Sequence, residues 1–220
     1  MKLLVGNKNY SSWSLRPWLL LKHAGIPFDE EYISFHDPEF KAKVSRVSPA
    51  GRVPVLVDGD FAVWDSLAIC EHVAERFFAH SLWPTDAKAR ARARAVCAEM
   101  HSGFTALRSA LPMNIELKLK GFHVPVAATR DIERIFAMWT ELRAQHGAGG
   151  PFLFGRFSVA DAYYAPVVMR FVSYDVKTPA EVKSYMRTIE SLPAMQAWIA
   201  DALLEGEFLD IDEPYRASRS

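Results

Sequence analysis

The chain has 220 residues, half of them hydrophobic and 12% aromatic, which gives it enough apolar material for one large or two small cores and excludes intrinsic disorder. Lysine plus arginine equals aspartate plus glutamate at 26 each, so the formal net charge is zero and no general field draws the chain to nucleic acid or to an anionic membrane. Two cysteines, Cys70 and Cys97, form no C-x-x-C pair and no metal-ligand spacing with histidine, which argues against a disulfide scaffold, a zinc module and a dithiol redox site.

The start, Met1 to Gly6, reaches polar Asn7-Lys8-Asn9 too early for a signal-peptide core, and no apolar run approaches a membrane span. The expectation is a soluble protein of the cytoplasm. Leu3-Leu4-Val5 reads as a short buried strand. Pro17 is tolerated only in a first helical turn, so a helix is expected from about Ser14, ending at Gly25-Ile26-Pro27. A second strand follows over roughly Phe28 to Phe35. Asp37-Pro38 then opens an irregular helical stretch that ends by Ser48-Pro49-Ala50-Gly51.

Val53 to Val57 and Phe61 to Trp64 are β-rich runs around Asp58-Gly59-Asp60, the pattern of a hairpin. Asp65-Ser66 suits the cap of a helix running from Leu67 to Phe78. The order β-α-β-α-β-β-α over residues 1–80 is that of a thioredoxin-like α/β domain.

His80 to Asp86 reads as a linker, and residues 87–220 as an all-helical bundle. Its predicted helices are Ala87 to Leu111, broken at Pro112; Thr129 to Ala144, with Ile132, Ile135, Phe136, Trp139 and Leu142 on one face; one started by the capping box Ser158-Val159-Ala160-Asp161 and kinked at Pro166; and two more from about Pro179 and Pro193. Arg90, Arg92 and Arg94 form no patch, because alternate residues on a helix sit about 200° apart.

Four segments, in order, resemble those of the glutathione S-transferase family, in its cytosolic serine-type, zeta- and theta-like bacterial form. Ser11-Ser12-Trp13-Ser14-Leu15-Arg16-Pro17 resembles the strand-to-helix loop of serine-type members. Ser48 to Leu56 is similar to the family's N-P-x-x-x-V-P-x-L segment with its cis-proline, and Trp64-Asp65-Ser66-Leu67-Ala68-Ile69 to its (E/D)-S-x-A-I motif. Phe157 to Asp161 resembles the (S/T)-x-A-D box of the helical domain.

The resemblance implies a glutathione transferase that uses glutathione as substrate, takes a small electrophile, needs no metal and forms a homodimer. A glutathione-dependent isomerase, a thiol reductase and a non-catalytic binding protein are the alternatives on the same scaffold. The implied thiol partner is Ser11 or Ser12, with Tyr10 as a rival. Glutathione would be held by the Val53 backbone ahead of Pro54, by Asp65 and Ser66 at a helix N-terminus, and by Arg52. Trp13, Met100, Phe104, Leu107 and Arg108 are the candidate walls of a co-substrate site between domains. Arg108 ahead of Leu111-Pro112-Met113-Asn114 points there to an acidic or polar co-substrate. Zeta-type isomerases carry Ser-Ser-Cys; Trp13 in the third position speaks against maleylacetoacetate isomerisation.

Overall fold

The computed structural model describes residues 1–219. The first half of the chain forms β1 (Lys2–Val5), α1 (Ser12–His23), β2 (Asp29–Tyr32), α2 (Phe40–Ser45), β3 (Val55–Asp58), β4 (Phe61–Trp64) and α3 (Ser66–Arg76). The sheet order is β2-β1-β3-β4, with β1 parallel to β2 and antiparallel to β3, and β3 antiparallel to β4. This is the thioredoxin-like arrangement expected from the sequence. β2 is shorter than expected, and its Asp29-Glu30-Glu31 charges mark an edge that does not recruit another strand.

Strand alternation divides the apolar residues between two faces. Leu3, Val5 and Leu56 face α1 and α3, within the large core. Leu4 and Val55 face the other way, against Ile33 and Val44 of the layer containing α2.

The helical part comprises α4 (Ala87–Ser102), α5 (Thr105–Ala110), α6 (Val126–His146), α7 (Val159–Ser173), α8 (Ala180–Glu190) and α9 (Pro193–Leu204). The large core is continuous across both halves, from Leu15, Leu19 and Ile69 to Trp139, Tyr164 and Trp198. α1 therefore packs against the sheet side on one flank and α7 on the other.

The single helix expected over Ala87 to Leu111 is two. Gly103 ends α4 with its N–H on the Glu99 carbonyl, and a Cβ there would lie 2.7 Å from that oxygen. Phe104 follows in the left-handed region, at φ 53°, and α5 begins again beyond it. Glycine after a polar last turn is a helix stop, and here it outweighs the helix-favouring alanine- and arginine-rich run before it.

Asp161 anchors the start of α7. Fully buried, it accepts from the Leu153 N–H (3.0 Å), the Ser158 N–H (2.9 Å), Ser158 Oγ (3.1 Å) and Tyr185 OH (3.1 Å). Removing the carboxylate would orphan donors on three segments. Asp161→Ala is expected to lower the unfolding free energy by about 3–5 kcal/mol, read from urea denaturation; a loss below about 1 kcal/mol would contradict this role.

Candidate functional site

Two adjoining clefts open where the sheet, the α1 N-terminus and α4–α5 meet. They share Trp13, Arg52, Val53 and Arg108. The smaller, of about 340 Å³, is bounded by Pro54, Trp64, Asp65, Ser66 and His101. The larger, of about 620 Å³, is bounded by Ser11, Ser12, Phe35, Phe40, Met113 and Arg170, among others.

The floor of the smaller cleft follows from the local chain path. The Val53–Pro54 peptide is cis, and among the described residues neither the N–H nor the C=O of Val53 makes a hydrogen bond. Asp65 caps α3 through Oδ1, which accepts from the N–H groups of Leu67 (2.8 Å) and Ala68 (3.4 Å). Its φ of 73° is unusual for a residue with a Cβ, and such residues gather where a ligand site over-determines the backbone. Ser66 is buried, with Oγ 2.9 Å from Tyr163 OH, and that hydroxyl also lies 3.2 Å from His101 Nδ1. His101 Nε2 reaches to 3.4 Å of Asp65 Oδ2. α4 and α7 thus brace the α3 N-terminus from the helical side.

At the other end, Ser11 is the N-cap of α1. Its Oγ accepts from the Ser14 N–H and shares a 2.8 Å hydrogen bond with Ser14 Oγ, which in turn accepts from the Gly6 N–H (3.2 Å). Ser11 is therefore occupied in tying β1 to α1. Ser12 Oγ lies 3.5 Å from Arg170 Nη2, and no group among the described residues accepts its proton. Tyr10 OH donates to Glu213 at 2.7 Å; burial first, then that carboxylate, push its pKa up to about 12.

The segment after α9 holds this loop in place. Glu205 accepts from the Lys8 and Asn9 N–H groups, and Glu207 from Asn7, Tyr32 and Ser34 side chains.

Three arginines converge behind the serines. Arg16 is 1% exposed, its guanidinium carbon 3.9 Å from the Trp13 ring centroid and 4.5 Å from that of Tyr163. Its Nε donates to the Tyr163 carbonyl, its Nη1 has no partner, and burial lowers its pKa to about 10. Arg108 lies over the same Trp13 ring at 4.8 Å. Arg170 donates to the Leu111 and Pro166 carbonyls; burial, reinforced by Arg16 and Arg108, lowers it to about 9.

The structure thus gathers Tyr10, Ser11, Ser12, Trp13, Arg52, Val53, Pro54, Asp65, Ser66 and Arg108 around the clefts. Met100, Phe104 and Leu107 are not walls: all three are buried in the core. The break at Gly103 explains it. On one continuous helix Met100, Phe104 and Arg108 would share a face at four-residue spacing; restarting the helix sends Thr105, Arg108 and Ser109 to the cleft instead. Sequence reasoning missed His101, Tyr163 and Arg170. For Arg170 a signal exists: it is the one charge between Ala162 and Ser173 in an otherwise apolar and aromatic run. Among the described residues no cluster of three or more His, Cys, Asp or Glu is placed to hold a metal, and no helix is long and apolar enough to cross a membrane.

Comparison with known proteins agrees with this geometry. Residues 10–76 match the glutathione S-transferase N-terminal domain and residues 125–201 the glutathione S-transferase C-terminal domain. The chain belongs to the glutathione S-transferase family. It is 40% identical over 63 residues to the dichloromethane dehalogenase of Methylophilus leisingeri, a match covering 26% of this chain and spanning 22% of that relative's length. It is 28% identical over 191 residues to a probable maleylacetoacetate isomerase of Caenorhabditis elegans, covering 84% of this chain and 86% of the relative. A Burkholderia glutathione transferase homolog solved with bound glutathione superposes with a TM-score of 0.69 at 24% identity, covering 92% of this chain and 97% of that one.

An unpaired buried charge is a cost to folding. Arg16→Met, which keeps the stem and removes the charge, is expected to leave unfolding free energy unchanged or raise it by about 1 kcal/mol in urea titration. A loss above about 2 kcal/mol would mean that the guanidinium is a net stabiliser.

Proposed function

We propose that this chain is a glutathione transferase that ionises the thiol of glutathione at Ser12 and directs it at a small electrophile in the larger cleft. The observation that carries the reading is the contrast between the two serines: Ser11 Oγ is taken up in the cap of α1, whereas the Ser12 proton has no acceptor. Ser12 sits as the first residue of α1, so its hydroxyl and the positive end of the helix act on the same atom. Tyr10 is a poor rival because its hydroxyl is committed to Glu213.

In this reading residues 1–80 form the glutathione-binding domain and residues 87–220 complete the electrophile site. The γ-glutamyl carboxylate meets Ser66 and the N–H groups at the start of α3, and Asp65 faces the α-amino group. The cysteinyl unit pairs with the free Val53 N–H and C=O, as an added strand does. Arg52 takes the glycyl carboxylate.

A free thiol ionises at about 8.5, so only a few per cent is thiolate at neutral pH. A shift of about two units makes most of it thiolate and needs about 2.7 kcal/mol of differential stabilisation. A hydroxyl donor, a helix N-terminus and the Arg170 charge together are of that order. The thiol proton departs to solvent; the sulfur then forms its bond to carbon as the leaving group departs with its electron pair.

A glutathione-dependent isomerase is the second reading, favoured by the similarity to a probable maleylacetoacetate isomerase over 86% of that relative's length. A cysteine-based reductase has no support: Cys70 and Cys97 are both buried, and burial pushes both thiols up. We place the protein in the cytoplasm, as a homodimer, with a role in detoxification.

With 1-chloro-2,4-dinitrobenzene as a general electrophile, Ser12→Ala is expected to lower kcat by about 10²-fold, the usual effect of removing one donor to a developing anion. Ser11→Ala is expected to cost about 1 kcal/mol of stability through the lost cap and to retain most of kcat. The reverse ranking of the two variants in kcat would overturn the assignment to Ser12.

A further inference from the structure

The larger cleft is lined by Arg52, Arg108 and Arg170 and by a single carboxylate, that of Asp212. Arg108 opens on both clefts and, among the described residues, its guanidinium makes no hydrogen bond and no ion pair with the protein. It is held only by the face of Trp13, which leaves its whole donor fork free. Arg170, 5% exposed, spends Nε and Nη1 on backbone carbonyls and turns Nη2 toward Ser12. Arg16 stands behind Trp13 with an orphaned Nη1. Burial lowers the basicity of both Arg16 and Arg170, and the neighbouring arginines lower it further.

Bound glutathione compensates only part of this charge. Its thiolate supplies one negative charge beside Ser12, and its glycyl carboxylate is matched to Arg52. Arg170 is turned toward the thiolate and lies near the Asp212 carboxylate, whereas Arg108 remains without an anion. The neighbouring walls are flat and apolar: Trp13, Phe35, Phe40, Pro112 and Met113.

We infer that the second substrate is a planar, unsaturated electrophile carrying a carboxylate, and that Arg108 binds that carboxylate while the ring or double bond lies against the aromatic walls. The inference rests on the transferase reading of the same site. A guanidinium fork takes a carboxylate in two parallel hydrogen bonds, which fixes orientation as well as affinity. Tethering the substrate at its anionic end leaves the electrophilic carbon free to approach the sulfur. With an aryl chloride, the sulfur–carbon bond forms, the carbon–chlorine bond breaks, and chloride leaves with the electron pair.

The matched pair 4-chloro-3,5-dinitrobenzoate and 4-chloro-3,5-dinitrobenzamide isolates the charge. After each rate is divided by its uncatalysed reaction with glutathione, the acid is expected to exceed the amide by about tenfold or more in kcat/KM, mainly through KM. The preference should shrink to within about threefold in Arg108→Met, survive in part in Arg108→Lys, and weaken as salt is raised. Equal use of acid and amide, or an undiminished preference in Arg108→Met, would overturn the inference.

Binding of the two glutathione conjugates by calorimetry gives the same comparison without turnover, with S-methylglutathione as reference. If S-methylglutathione binds and the carboxylate adds nothing, the anion site alone fails. If S-methylglutathione does not bind, the glutathione reading fails and this inference falls with it.

Discussion

The burial of α1 from Ser12 to Leu21, with its N-terminal end bordering the larger cleft, is the constraint on which the rest of the structure depends. Leu15, Trp18, Leu19, Leu20 and Leu21 are all buried, on faces that point both to the sheet and to the helical half. A helix enclosed on two sides cannot move its N-terminus without disturbing two packed layers. That end is therefore a fixed reference point for a ligand. The Gly6–Ser14–Ser11 hydrogen bonds fix the entry of the chain, and the segment after α9 ties down residues 7–10 through Glu205 and Glu207. α7 completes the enclosure, and the Asp161 carboxylate holds its start against the 153–158 turn and α8.

The same enclosure creates the site's electrostatics. Arg16 lies within α1 and Arg170 within α7, both among apolar neighbours and both without a carboxylate within ion-pair distance among the described residues. Aromatic faces and backbone carbonyls replace counterions: Trp13 and Tyr163 for Arg16, and the Leu111 and Pro166 carbonyls for Arg170. Such contacts recover only part of the desolvation cost. An arrangement of this kind is expected where charge is kept for a bound anion rather than for stability. Trp13 and Arg108 border both clefts, with Arg16 stacked behind the same ring.

Most of the first half of the fold was legible in the sequence, because its signals are local. The Asp58-Gly59 turn, Pro17 at the start of α1 and the Asp65-Ser66 cap each act within a few residues. The residues we propose for glutathione were visible in the sequence for the same reason: Val53, Pro54, Asp65 and Ser66 sit next to one another in motifs. The co-substrate side was not, because its residues come from segments far apart in sequence and depend on one helix break. Periodicity placed Met100, Phe104 and Arg108 on one stripe; Gly103 and the left-handed Phe104 split the stripe between core and cleft. Tyr163 and Arg170 escaped notice because a buried polar residue in an apolar helix looks like core until its partner on another element is known. The preference we propose for Ser12 over Ser11 also required three dimensions, since only there is Ser11 seen to be spent on Ser14.

Ionisation of the bound thiol at this site can be measured by ultraviolet titration of glutathione on the wild-type protein. Thiolate absorbance of the saturated complex, followed from acid to alkaline pH against the S-methylglutathione complex, is expected to reach half its rise at about pH 6.5, about two units below the free thiol. A midpoint at or above about 8.5 with glutathione fully bound would contradict the claim, leaving a site that binds the peptide without activating it.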